Sequence, residues 1–172
     1  PAALASRQVL EIFRLKTAPA FDVALQLGAI AAGAATGAEN GLADVLRAYS
    51  EAVGIAYQIK DDLDDLQDDA GLLPGAQPRP SVVLARLVRG ERVEGLEPRA
   101  VRAAIAECKA DEKAALLLES YKEQAVRALA GLSSATLKGL LRRVLGKIFD
   151  EVKFEGYCRE AEQERLRAEA RT

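Results

Sequence analysis

The chain has 172 residues and a net charge of −2, from 24 Lys and Arg against 26 Asp and Glu. Nearly half of it is hydrophobic and 29% is charged, the balance of a globular chain and not of a disordered one. The missing basic excess argues against a nucleic-acid or membrane-surface binder, and the absence of Trp argues against a stacking platform for bases.

The chain contains no histidine, and Cys108 and Cys158 form no CxxC pair. That stock speaks against a zinc site and against a mechanism with a histidine base. Both cysteines read as reduced thiols on helices, and a cytoplasmic compartment is expected. No signal peptide and no uninterrupted apolar run of membrane length is visible.

Leu4, Val9, Ile12, Phe13 and Leu15 fall near helical spacing and predict a first helix to about Lys16. Pro19 disfavours helical geometry at Ala18, so a break or kink is expected at residues 16–18. Residues 21–36 predict a second helix, and its apolar stretch from residue 24 to 38 reads as buried. A long helix is expected from about Gly41 through an acidic run to about Asp69. The stretch "AGLLPGAQPRPS" holds three prolines and two glycines and is the clearest loop. Ser81 is a candidate cap for a short helix over 82–88, and "RGERVEGLEP" is a polar turn. Pro98 suits the first turn of a helical pattern that continues to Leu132. Ser133 and Ser134 are candidate caps for a last helix from about Ala135. Residues 158–172 are expected to be a frayed or solvated tail. No strand-like alternation occurs. The expected fold is therefore all-α, one helical domain over 1–172 packed as a bundle.

The acidic run poses a physical problem. Six of the nine residues from Asp61 to Asp69 are aspartate, with no Lys or Arg among them. Each like-charge pair at i,i+4 costs an isolated helix roughly 0.2–0.5 kcal/mol. At about 100° per residue, Gly54, Gln58, Asp61, Asp62 and Asp65 share one arc, beside the arc of Ile55, Ile59, Leu63 and Leu66. Carboxylates beside an apolar stripe need water, cations or both. Asp61, Asp62 and Asp65, at i, i+1 and i+4, suit Mg²⁺, which takes one or two carboxylates and keeps waters or phosphate oxygens at its other positions. A solvated acidic face near a helix end fits the same short pattern. Gly54 permits close approach of a helix or ligand, and Gln58 offers a carbonyl oxygen to a positive charge. Asp64, Asp68 and Asp69 read as solvent-facing or outlying, and Lys60 as a partner for a neighbouring acid.

The stretch "GIAYQIKDDLDD" resembles the second aspartate-rich motif, GxxxQxxDDxxD, of the trans-isoprenyl diphosphate synthases. Gly54, Gln58, Asp61, Asp62 and Asp65 occupy its fixed positions. "FRLKTAPAF" resembles the Lys-Thr motif of the same family, at Lys16 and Thr17. The order and separation of the two motifs, and the glycine pattern "ALQLGAIAAGA" between them, are similar too. The resemblance implies an isoprenoid-synthase helical bundle, usually a homodimer, with Mg²⁺ holding the diphosphate of an allylic substrate. It implies condensation of that substrate with isopentenyl diphosphate and release of diphosphate. It makes Asp61, Asp62 and Asp65 a metal half-site, with Asp61 as the foremost direct ligand. Lys16 becomes a diphosphate contact, and Thr17 and Gln58 place oxygens near the developing allylic cation.

The sequence departs from the family in two places. The first DDxxD motif and its following arginines, which precede the Lys-Thr motif in the family, have no counterpart here, so the resemblance covers a C-terminal part without the N-terminal helices. After the second motif the family carries a lysine-bearing loop, whereas here Arg79 stands between Pro78 and Pro80 and is the candidate stand-in. Three readings remain open: a Mg-dependent prenyltransferase, a non-catalytic partner or regulatory subunit of the same fold, and a helical interaction domain with a solvated acidic face.

Overall fold

The computed structural model describes residues 4–33, 41–67, 81 and 98–149. The described residues form helices and turns with no strand, and the fold class is all-α. The chain falls into two compact units, Pro1–Gly131 and Leu132–Thr172. Arg79, Cys158, the acids Asp68 and Asp69, the expected short helix over 82–88 and the expected tail lie outside the described residues.

In the first unit, α1 spans Ser6–Lys16 and α2 spans Ala18–Ala31. The Gln8 side-chain oxygen accepts from the Ala5 backbone N–H at 2.8 Å, satisfying one of the donors that a helix start leaves open. Arg14 and Lys16 lie in the last turn of α1, where cations complement the helix dipole. The bend expected at residues 16–18 falls on Thr17. Pro19 sits inside the first turn of α2, because a proline there removes no hydrogen bond the helix needs. The second helix thus starts earlier than the expected residue 21. It stops at Ala31, where Gly33 turns to φ +77 and its N–H bonds to the Ile30 carbonyl, a conformation open to glycine.

Helix α3, Leu42–Gln67, is the central element. It packs on α1, on α2 and on α5, which spans Ala110–Ala128. Residues 52–56 of α3 are all buried, as a helix covered on several sides must be. Ile55 and Ile59 enter one core with Val9 and Phe13 of α1, with Val101 and Ile105 of α4 (Pro98–Cys108), and with Ala110 and Ala114 of α5. Leu63 and Leu66 pack on its edge, so the apolar arc inferred beside the aspartates is an arc of the core.

Helix α2 is not buried: Val23, Leu27 and Ile30 are 56%, 60% and 54% exposed, and Ala18 alone of its residues is buried. Its half-buried residues recur at 21, 22, 25, 26 and 29, one face of a helix that packs mainly on α3. The helical pattern from Pro98 to Leu132 is not continuous. It breaks at Lys109, whose backbone adopts φ 51 and ψ 43, and a short 3-10 turn over Leu129–Gly131 ends the unit.

The second unit contains α6, Ala135–Phe149. Ser134 caps it, its hydroxyl accepting from the Leu137 N–H at 3.2 Å, the bond expected of an N-cap serine. Leu141, Leu145 and Phe149 are its buried stripe, at spacing i, i+4, i+8.

Candidate diphosphate site

The candidate site begins at the bend between α1 and α2 and runs along one face of α3. Gly54 is where the two meet. A Cβ on Gly54 would lie 2.7 Å from both the N and the Cα of Ala18, and 3.1 Å from its Cβ. The bend therefore rests on α3 at a point that accepts no side chain. One helical turn further along α3, Gln58 is buried, at 7% exposure. Its side-chain carbonyl accepts a hydrogen bond from the Lys16 ammonium at 3.0 Å. An ammonium only donates, so the Gln58 oxygen faces Lys16. An ammonium also has three donors, so this bond leaves two for an anion. Thr17, between Lys16 and Ala18, is half-buried, and its N–H bonds to the Phe13 carbonyl at 3.1 Å.

The aspartates continue the same face. Asp62 and Asp65 follow Gln58 by four and seven residues, and Asp61 precedes Asp65 by four, which stacks them on successive turns about 5.4 Å apart along the axis. Asp61 is exposed, and Asp62 and Asp65 are half-buried beside Leu63 and Leu66. Asp64 lies off this line and pairs with Lys60 at 2.6 Å, so the nearest lysine is engaged on the flank of the acidic face. Among the described residues no three acidic, Cys or His side chains gather as a metal-holding cluster. Carboxylates on a single helix offer a different donor set: hard oxygens from one side, with the remaining positions open to water and phosphate. That set fits Mg²⁺, which seldom sits in an all-protein cage.

The structure thus brings Lys16, Thr17, Gln58 and the three aspartates onto one side of α3, although forty-two positions separate Lys16 from Gln58. A cleft of about 370 Å³ lies elsewhere, lined by Glu51 of α3 and by Tyr121, Gln124 and Arg127 of α5. Burial, and then the Glu51 charge, push the Tyr121 phenol above its ordinary pKa. Neither Lys16 nor the aspartates line this cleft.

Fold and site together define an all-helical protein in which a lysine bend is laid on an aspartate-bearing helix. Residues 3–73 match the model of the family described as Polyprenyl synthetase. That segment, less than half of the chain, contains both motifs and supports the trans-isoprenyl diphosphate synthase family for this sequence. No curated protein and no solved structure matches the chain. Among the described residues no helix is long and apolar enough to cross a membrane.

Proposed function

We propose that this chain contributes the diphosphate-binding half of a Mg-dependent prenyltransferase, one that condenses an allylic diphosphate with isopentenyl diphosphate and releases diphosphate. The observation that carries the reading is the Lys16–Gln58 hydrogen bond, which joins the two motifs of a segment matched by a prenyl-synthase family. The two free N–H donors of Lys16 bind a diphosphate oxygen. Asp61, Asp62 and Asp65 present carboxylate oxygens on the same face and would hold the metal. Mg²⁺ bound there supplies Lewis-acid stabilisation of the departing diphosphate. Gln58, whose oxygen also accepts from Lys16, and Thr17 would place oxygens near the carbon that loses it, where positive charge develops and where preorganised dipoles act most strongly. Arg79 is a proposed further diphosphate contact, and assembly as a homodimer is the state the family implies.

A second reading keeps the same Lys16–Gln58 junction and the same aspartate face. In it the chain is a partner or regulatory subunit that binds diphosphate and leaves turnover to another chain. Thermal melts with Mg²⁺ and pyrophosphate, singly and together, test the shared premise. A ligand at about 100 times its Kd adds roughly 2.7 kcal/mol of stability. The expected result is a rise in Tm that needs both ions and disappears in Asp62→Ala. Turnover of an allylic diphosphate with isopentenyl diphosphate then separates enzyme from partner subunit. No rise in the wild-type chain sinks both.

A further inference from the structure

We propose that Gly54 is a positioning residue for Lys16: by admitting the Ala18 backbone where a side chain would stand, it seats the Lys16–Thr17 bend on α3 so that the ammonium meets Gln58. The glycine is not needed for its own backbone conformation, because it lies inside α3 with no positive φ. Its role comes from what it lacks. A methyl at this position would be 2.7 Å from two backbone atoms of Ala18, and backbone atoms cannot rotate aside as the end of a side chain does. Relief requires the start of α2 to lift off α3. Ala18 is two residues from Lys16, so the lift is passed directly to the lysine. On α3, Gly54 and Gln58 are four residues apart on one face, so the contact at Gly54 and the hydrogen bond at Gln58 are adjacent rungs of one junction. The contrast with other glycines is local. Gly28 on α2 and Gly139 on α6 have nothing within 4 Å of an added Cβ.

The inference rests on the reading of Lys16 as the diphosphate contact, and two readouts keep the two apart. The first is the Kd for pyrophosphate in the presence of Mg²⁺. Gly54→Ala is expected to weaken it about tenfold or more, since small misplacements of a binding group carry losses of that order. Adding Lys16→Ala to Gly54→Ala should produce no further loss beyond Lys16→Ala alone, because both act through one group. The second readout needs no ligand. The rate at which Lys16 is acylated by a lysine-directed ester, followed by mass spectrometry, should rise in both Gly54→Ala and Gln58→Ala, and stay at the wild-type value in Gly28→Ala.

A folded Gly54→Ala chain with wild-type Kd and wild-type Lys16 reactivity overturns the proposal. Independent, additive losses from Gly54→Ala and Lys16→Ala overturn it as well. If the wild-type chain binds no pyrophosphate, the functional reading fails, and the acylation rates still decide whether Gly54 holds Lys16 in place. Should Gly54→Ala not fold, Ala18→Gly loosens the same contact from the other side and leaves α3 intact. It is expected to shift both readouts in the same direction by less, and unchanged readouts there overturn the proposal.

Discussion

Lys16 and Gln58 form a hydrogen bond of 3.0 Å between the end of α1 and the middle of α3. The acceptor is buried and the donor is exposed, so the bond spans the boundary between core and solvent. Removing the donor leaves a buried carbonyl oxygen with no partner of equal strength. Lys16→Ala is therefore expected to cost about 1 kcal/mol in urea unfolding. Gln58→Leu removes the polar atom and keeps the volume, and should cost less. The double variant should show a coupling of at least about 0.5 kcal/mol. Additive losses would mean that the bond does not persist in solution.

Gly28 and Gly54 are opposite tests of one substitution. Gly28 lies inside α2 with open space around an added methyl. Gly28→Ala should stabilise by roughly 0.5–1 kcal/mol through helix propensity alone. Gly54→Ala gains the same propensity but drives a methyl into the Ala18 backbone, and overpacking of that kind costs typically 1–3 kcal/mol. Denaturant midpoints for the two variants should move in opposite directions.

The difference between these glycines shows what the sequence could and could not reveal. The bend near Thr17 was legible because proline acts on its immediate neighbours. The burial of Ile55 and Ile59 was legible because helical periodicity is local. The exposure of Val23, Leu27 and Ile30 was not, since an apolar composition does not say how many neighbours a helix has. For Gly54 the sequence says that close approach is permitted, and only the fold shows that Ala18, thirty-six positions earlier, makes it. The meeting of Lys16 with Gln58 was not legible: residue spacing gives no sign of it, and the motif resemblance gives the two residues separate roles.

The break at Lys109 was invisible for a related reason. Lysine is an ordinary helix former, and its neighbours Cys108 and Ala110 give no turn signal. Its φ of 51 lies in the left-handed region, where a Cβ costs roughly 1–2 kcal/mol. The Lys109–Glu112 ion pair at 3.4 Å is largely exposed and offsets little. Lys109→Gly should therefore stabilise the first unit by about 0.5–1 kcal/mol after the added chain entropy of glycine. Lys109→Val should destabilise it. Equal midpoints for all three would indicate a break that relaxes in solution.

Ser133 and Ser134 could not be separated as caps by sequence, since both precede the apolar pattern of α6. The hydroxyl of Ser134 makes the capping bond to Leu137. Ser134→Ala should cost about 1 kcal/mol in the stability of the second unit, and Ser133→Ala should lie within about 0.5 kcal/mol of wild type. Hydrogen exchange at the first amides of α6 resolves the two.

Tyr49 of α3 is 1% exposed, and burial pushes its phenol well above the ordinary value of 10.0. The folded chain holds this proton more tightly than the unfolded chain does. Stability from Tyr49 is thus fully present below pH 10.0 and declines as pH rises beyond that value toward the folded pKa. Tyr121, half-buried and shifted the same way, adds a smaller loss over the same range. Urea midpoints measured from pH 8 to about 11 should fall, and Tyr49→Phe should flatten most of the fall. A slope that survives Tyr49→Phe and Tyr121→Phe together would assign the alkaline transition to other groups.

The aspartate line makes a final, paired prediction. Asp61 and Asp65 are like charges at i,i+4, and Asp64 and Lys60 are opposite charges at i,i+4 held at 2.6 Å. Without metal, Asp61→Asn relieves repulsion and should raise stability by roughly 0.2–0.5 kcal/mol, whereas Asp64→Asn should lower it by a similar amount. With Mg²⁺ and pyrophosphate the order inverts. Asp64→Asn keeps the ligand-dependent rise in Tm because its carboxylate lies off the candidate site. Asp61→Asn loses most of the rise because a hard-oxygen ligand has gone. A site that spends apo stability on ligand binding shows this crossing. A solvated acidic face gives the same two small shifts with and without ligand, and that outcome would return α3 to a plain packing helix.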